Sequence, residues 1–248
     1  MIVPKPHGDA VRSYSTRFKA DEDSLSEGGI WLLGRTHGRD WADVKVKGGQ
    51  AYGETVPLKV AERPAGSGDP EKLLETDEEL ARISGNHTPE SFIGDCTDPT
   101  AILAGPWGRN QYARCKVLQR KPNNKYFHEV QLRLRFTVTP GFVTGYELMF
   151  RALKSERAYA EICRWNGRVT DWTSLDRSVG VDSGVSDGDI IEATMIGNVI
   201  KGYVNGKEVL SAVDDTFPLG NPGFGFNFGN GETYVDYGIT YFEAETYE

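Results

Sequence analysis

The sequence predicts an all-β protein built from two stacked antiparallel sheets. Turn dipeptides separate short apolar runs, and Asn205-Gly206 suits a tight hairpin because both residues tolerate positive φ. In the middle of the chain, apolar and polar residues alternate with the period of two that is typical of half-buried strands. The 29 glycines and the aromatic residues are spread almost from end to end, as many short strands require.

Fifteen candidate strands follow along the chain. They span residues 13–19, 30–34, 44–47, 50–53, 101–104, 111–117, 128–138, 145–152, 158–165, 170–176, 190–196, 199–204, 208–212, 223–228 and 235–243. The meander over 187–210 is the clearest group, since its three strands are joined by Gly197-Asn198 and Asn205-Gly206. In 128–138 the alternation predicts one apolar face, formed by Val130, Leu132, Leu134 and Phe136, and one polar face.

The segment 56–98 interrupts the strands with a polar, acidic and Pro-rich composition. Asp69 at the N-cap and Pro70 at the first helical position predict a helix over 69–83, which Ser84-Gly85 ends. We therefore predict a single domain over 1–248 that carries a long insertion with one short helix.

Charge and composition exclude several classes of protein. The formal net charge of −8 argues against a nucleic-acid or anionic-membrane partner. No apolar run approaches the ~20 residues that span a bilayer. The first residues show no signal-peptide core, and a secreted chain without its signal would look the same. The odd set Cys96, Cys115 and Cys163 predicts no disulfide framework, although one bridge with one free thiol stays open.

Several segments together resemble the concanavalin A-like lectin/glucanase superfamily, in particular its laminin-G-like bacterial domains. They are 130–136, 145–151, 159–167, 188–210 and 221–226, preceded by Phe18, Trp31 and Trp41. The resemblance covers nearly all of the chain outside the insertion, and it implies a jelly-roll sandwich. The superfamily includes lectins, glycan-binding modules, glycoside hydrolases, polysaccharide lyases and interaction modules, so the fold leaves the function open.

In jelly rolls similar to this one, the concave sheet forms the glycan groove. The resemblance and the polar faces of strands 128–138, 145–152 and 158–165 together give a candidate carbohydrate-binding set. Arginine and glutamate supply charge-assisted hydrogen bonds, and tryptophan supplies a flat apolar platform. The alternative is an ordinary solvent face crossed by salt bridges. The set comprises Gln131, Arg133, Arg135, Glu147, Arg151, Glu161 and Trp165.

Catalytic chemistry on the same face is an alternative. The Glu-x-Asp-x-x-Glu pattern of related glucanases is absent, which leaves Glu147 and Glu161 as a candidate carboxylate pair from different strands. Neighbouring arginines are expected to keep both carboxylates ionised, which argues against a general acid. For a lyase, the candidate proton-transfer residues are His37, His128, Tyr146 and Tyr159.

Metal binding is a smaller question. The four histidines are far apart in sequence and no Cys-x-x-Cys occurs, so zinc is not predicted. Similar jelly rolls often hold a structural calcium ion, and the resemblance places Asp236 as its ligand, with Asp21 or Asp23 as partners.

Three functional hypotheses follow. The first is binding of a polysaccharide or oligosaccharide on the concave sheet. The second is a carbohydrate-active enzyme, either a glycoside hydrolase or a polysaccharide lyase, on the same face. The third is a structural or protein-interaction domain that uses the insertion.

Overall fold

A computed structural model describes residues 9–38, 41–53, 98–120, 128–140, 142–167, 171–227 and 237–248. Nearly all of the insertion, with the helix predicted at 69–83 and with Cys96, lies outside the described residues, so those predictions stay predictions. The same holds for the single-domain organisation.

Every predicted strand has a counterpart within the described residues. The strands are β1 (Arg12–Thr16), β2 (Trp31–Leu33), β3 (Val44–Lys47), β4 (Gln50–Gly53), β5 (Thr100–Leu103), β6 (Asn110–Gln119), β7 (Glu129–Thr139), β8 (Phe142–Arg151), β9 (Tyr159–Gly167), β10 (Trp172–Val179), β11 (Ile190–Ile196), β12 (Val199–Val204), β13 (Lys207–Val213), β14 (Asn221–Asn227) and β15 (Tyr237–Tyr247). A π-helical turn (Gly34–Gly38) follows β2, and a short 3₁₀ turn (Val181–Ser183) follows β10.

The strands form two antiparallel sheets. The eight-stranded sheet has the order β13-β12-β11-β6-β15-β4-β3, and β1 also pairs with β15. The seven-stranded sheet has the order β10-β9-β8-β7-β14-β5-β2. The predicted meander is confirmed as β11, β12 and β13, and its hairpin residues Asn205 and Gly206 have φ of 49° and 78°. The fold is therefore the predicted all-β jelly-roll sandwich.

The main core lies between the two sheets. From the seven-stranded sheet it takes alternate residues such as Val130, Leu132 and Leu148, all fully buried. From the eight-stranded sheet it takes Ala113, Cys115 and others. Residues of opposite parity on the seven-stranded sheet point away from this core, and we call that surface the outer face.

A β-bulge in β7 makes one detail of the predicted alternation wrong: Phe136 does not share the apolar face of Val130, Leu132 and Leu134. The register between β7 and β8 shifts between Leu134 and Thr137, and Arg135 takes a left-handed φ of 47°. Because the extra residue reverses the alternation, Phe136 leaves the main core. It joins a second apolar cluster, made of Trp41, Ile102, Phe136, Val138, Val143 and Trp165. Among the described residues, no helix is long and apolar enough to cross a membrane.

Candidate functional site on the outer face

The outer face brings together six of the seven residues predicted to bind carbohydrate. Strand pairing aligns Arg133 of β7 with Glu147 of β8, and Met149 of β8 with Glu161 of β9. Cross-strand partners share one side of a sheet, so three neighbouring strands deliver these side chains to one surface. The six are Gln131, Arg133, Glu147, Arg151, Glu161 and Trp165.

A buried ion pair lies at the centre of this face. The Nη2 atom of Arg133 is 2.9 Å from Oε2 of Glu147, and it donates a hydrogen bond of 2.5 Å to Oε1 of Gln131. The neighbouring strand carries Gly225, where a Cβ atom would lie 2.4 Å from the same Nη2. The arginine therefore lies flat across the sheet, in space that only a glycine leaves open.

Aromatic rings pack around the Arg133 guanidinium. Its Cζ lies 4.6 Å from the ring centroids of both Trp41 and Phe136, close enough for cation–π attraction. Trp41 also meets Trp165 edge to face, with 4.9 Å between ring centroids. Within the described part of the chain, Nε and Nη1 of Arg133 and Nε1 of Trp41 are buried without a hydrogen-bond acceptor. Unsatisfied buried donors are uncommon and often mark functional sites or bound water.

The other end of the outer face is polar. The hydroxyl of Tyr159 donates to Oε1 of Glu129, and the guanidinium of Arg177 lies 4.6 Å from the centre of the Tyr159 ring. Arg177 also approaches Glu161, with 3.8 Å between Nη1 and Oε2. Arg151 is aligned with Glu129 across β7 and β8. Acidic and basic groups thus alternate across four strands.

Burial changes the titration of the carboxyl groups. Desolvation raises the pKa of Glu129 to about 7. Asp98 accepts a 3.4 Å hydrogen bond from Gln131, and burial together with the nearby Glu147 raises its pKa to about 8. Burial also raises the pKa of Glu147, and the opposing effect of Arg133 is smaller. Burial and Arg133 therefore act on the pKa of Glu147 in opposite directions, and the expectation that arginines keep Glu147 ionised stays a prediction.

Arg135 does not share the outer face, contrary to the sequence prediction. Because of the bulge, its guanidinium points to one end of the sandwich. Its Nε donates to the carbonyl of Arg109 at 2.8 Å, and its Nη2 donates to that of Gly197 at 2.6 Å. A longer bond of 3.4 Å reaches the carbonyl of Phe217. Arg135 therefore holds three loops together and is structural.

The face is also less open than the sequence suggests. All seven predicted residues are buried, and the most accessible, Arg151, is only 7 % exposed. The exposed part of this surface lies on edge strand β10, where Trp172 is 38 % exposed and the Arg177 side chain 44 %. Trp172 is the cross-strand partner of Trp165. Sequence reasoning did not select Trp172, Arg177, Glu129 or Asp98 as site residues, although the polar alternation of β7 already included Glu129.

The residues considered for proton transfer are scattered. His128 stacks on Tyr237 of the main core, with 5.3 Å between ring centroids. Tyr146 faces the main core and donates to Asp214 at 2.6 Å. His37 lies in the π-helical turn and accepts a hydrogen bond from the Leu33 amide. Of these candidates, only Tyr159 shares the outer face with Glu147 and Glu161.

The described residues do not assemble the predicted calcium site. The Oδ1 atom of Asp21 accepts a 2.7 Å hydrogen bond from the Gly48 amide, which explains its place beside a tight turn. Asp236 lies outside the described residues, so its pairing with Asp21 or Asp23 stays a prediction. In the described ranges, no three His, Cys, Asp or Glu side chains gather as metal ligands. Cys115 and Cys163 are free and buried.

No family model matches the sequence, and no curated protein matches it. Solved structures do match its fold. The carbohydrate-binding module CBM66 from Bacillus subtilis is 10% identical with a TM-score of 0.50, covering 88% of this chain and 98% of that one. A second structure is also 10% identical with a TM-score of 0.50, covering 97% of this chain and 100% of that one. Its title refers to endo-acting O-glycanases that members of the human gut microbiota express to initiate mucin breakdown. The chain has the concanavalin A-like jelly-roll fold, as the sequence resemblance predicts.

Proposed function

We propose that this protein binds carbohydrate on the outer face of the seven-stranded sheet. One observation carries the proposal: indole rings and ion-paired arginines meet on a single sheet face. Trp41 and Trp165 pack beside the Arg133–Glu147 pair, and Trp172 extends the aromatic row to the sheet edge. The likeness to a carbohydrate-binding module and to a structure associated with O-glycanases supports this choice of ligand.

The chemistry of a sugar suits this arrangement. A pyranose ring has an apolar face of C–H groups, which packs on an aromatic ring, and a rim of hydroxyls, which bond to charged groups. Trp172 supplies an accessible ring, and Arg177 supplies accessible donors on the same strand. The buried Arg133–Glu147 pair lies further in, where it fixes the aromatic cluster. The sugar therefore makes its first contacts along β10.

Substitution of the two exposed residues tests the proposal. Trp172→Ala and Arg177→Ala leave the buried pair intact, so we expect both variants to fold. Migration in native gels that contain polysaccharides, surveyed over neutral and acidic glycans, measures retention. We expect wild-type retention on at least one glycan and a loss of roughly tenfold or more in each variant, as for removal of a central contact.

The matched controls lie on the other sheet. Val213→Ala removes an exposed apolar side chain, and Lys201→Ala removes a partner of an exposed ion pair with Glu208. Both should keep wild-type retention. Equal retention by Trp172→Ala, Arg177→Ala and the controls would exclude the β10 edge as the binding surface.

A second candidate function is glycoside hydrolysis, and the raised carboxyl pKa values favour it. A general acid near neutral pH needs a carboxyl that stays protonated, and burial provides this for Glu129. Glu147 lies on the adjacent strand of the same face. Release of reducing ends by the wild-type protein, abolished in Glu129→Gln and in Glu147→Gln, would establish hydrolysis. Retention of glycan without any product would leave binding as the function.

A further inference from the structure

The exposed residues of edge strand β10 form one row on the outer face. The row comprises Trp172, Ser174, Arg177 and Val179. Strand pairing aligns its first member with Trp165 and its last with Tyr159, which both belong to the outer face. At the usual rise of a β-strand, the row is roughly 20 Å long. A single sugar ring therefore covers only a small part of it.

A crevice of about 410 Å³ opens at the far end of this row. Its walls come from the end of β10 with the 3₁₀ turn that follows, from the start of β13, and from the loop between β8 and β9. Val179 belongs both to the row and to the crevice lining, so the two surfaces are continuous. The volume lies in the range of roughly 300–1,000 Å³ that is typical of small-molecule sites.

The crevice offers apolar surface and hydrogen-bonding groups together. Val181 is 42 % exposed, and the hydroxyls of Ser178 and Ser183 lie 2.8 Å apart. The Nζ atom of Lys207 donates to Oδ2 of Asp182 at 2.6 Å, and both side chains are mostly exposed. Because an exposed ion pair contributes little to stability, the two groups can turn to the hydroxyls of a ligand. A sugar hydroxyl donates to a carboxylate and accepts from an ammonium.

The charges of the crevice favour a neutral ligand. Its acidic lining residues are Glu156, Asp182 and Glu208, and its basic lining residue is Lys207. Asp182 is paired with Lys207, and Glu208 is paired with Lys201 at 2.7 Å. Glu156 forms no ion pair within the described ranges. A uronate or sulfate group in the crevice would be repelled by this carboxylate, in a chain whose net charge is −8, whereas a hydroxyl would bond to it.

We propose that the crevice is a second subsite and that the ligand is an extended, neutral polysaccharide that lies along β10. One end of the bound segment stacks on Trp172, and the other enters the crevice beside Asp182 and Lys207. This inference rests on the proposed function, because it takes β10 as the binding edge. It adds a charge class, and it adds a minimum length, since only several linked sugar units reach both ends of the row.

Native gels with defined polymers test the crevice. The neutral polymers are β-glucan, xylan and mannan, and the acidic ones are alginate and polygalacturonate. Asp182→Ala/Lys207→Ala removes the ion pair of the crevice and keeps the net charge. We expect this double variant to lose roughly tenfold in retention on a neutral polymer, as for a central contact, with the wild-type unfolding midpoint.

The matched control removes another exposed ion pair of the same length. Arg109 and Asp215 are also 2.6 Å apart, and neither lies on β10 or in the crevice lining. Arg109→Ala/Asp215→Ala likewise keeps the net charge. We expect it to keep wild-type retention on every polymer.

Chain length forms the second arm. Free oligosaccharides of the retained polymer, from the disaccharide to the octasaccharide, compete with it in the gel. We expect competition to strengthen sharply once an oligosaccharide is long enough to extend from Trp172 into the crevice. The Asp182→Ala/Lys207→Ala variant should lose this gain, because short oligosaccharides contact only the row.

The outcomes separate this inference from the proposed function. Retention that Trp172→Ala abolishes, but that neither the crevice substitution nor oligosaccharide length changes, would overturn the second subsite and leave the proposed function standing. Stronger retention on alginate or polygalacturonate than on every neutral polymer would also overturn it. Absence of retention on all of the polymers would contradict both.

Discussion

Arg133 and Glu147 face each other across β7 and β8, 2.9 Å apart and almost completely inaccessible to solvent. Burying two charges costs several kcal/mol per ion, and the pair offsets this cost only while both partners are present. The pair is therefore a sensitive point of the outer face. Its loss affects both folding stability and the position of Trp41, which lies over the arginine.

Removal of one partner of this pair should be strongly destabilising. Arg133→Met leaves Glu147 buried without its cation, and we expect the free energy of unfolding to fall by about 3–5 kcal/mol. The double variant Arg133→Met/Glu147→Gln should recover part of that loss, because no charge is then left unpaired. Urea unfolding measures both. Lys201→Met is the control, since it breaks an exposed ion pair worth about 1 kcal/mol or less. A double variant less stable than Arg133→Met would contradict the account.

The glycines of β14 should respond differently to alanine. At Gly225 the new Cβ would meet the movable end of Arg133, whereas at Gly223 it would lie 2.3 Å from the backbone carbonyl oxygen of Ala101. When a side chain can move away from the new methyl group, the overpacking lowers the free energy of unfolding by about 1–3 kcal/mol. When the methyl group meets backbone atoms, the loss is larger. We therefore expect the midpoint of thermal unfolding to be lower for Gly223→Ala than for Gly225→Ala. A lower midpoint for Gly225→Ala than for Gly223→Ala would mean that the Arg133 side chain cannot move away from the new methyl group.

Glu129 should make stability depend on pH. Its carboxyl has a pKa near 4.5 when unfolded and about 7 when folded, so the folded state holds the proton more tightly. Its contribution is complete below pH 4.5 and is lost as pH rises towards 7, a decrease of roughly 3 kcal/mol at 1.36 kcal/mol per pKa unit. Glu129→Gln cannot ionise and should flatten this part of the profile. Urea unfolding at pH 5 and pH 8 measures the difference, and an equally steep decline in Glu129→Gln would refute it.

Arg135 should contribute to the free energy of unfolding and not to glycan binding. Arg135→Met removes two charge-assisted hydrogen bonds to the carbonyls of Arg109 and Gly197, which lie in a partly buried environment, and such bonds contribute about 1.5–3 kcal/mol each. We expect a lower unfolding midpoint in urea and, at a temperature where the variant is folded, unchanged glycan retention. Loss of retention in the folded variant would return Arg135 to the site.

The sequence predicts the fold well because its signals are local. Alternation along β7, β8 and β9 and the Asn205-Gly206 turn each specify strands without reference to distant residues. The bulge was not predictable in this way, since nothing in the sequence around Arg135 marks a left-handed φ, and the reversed alternation moved Phe136 to the other face. The burial of Arg133 depends on Trp41, which is 92 positions away in sequence. Local patterns therefore predict which strands carry the polar residues but not which of those residues reach solvent.

The most direct test of the central claim is a crystal structure of the chain soaked with the oligosaccharide that it retains best in native gels. We predict one sugar ring stacked on Trp172 and, further along the same oligosaccharide, hydroxyls of another ring within hydrogen-bond distance of Arg177. A sugar bound on the eight-stranded sheet, with the β10 edge free, would contradict it.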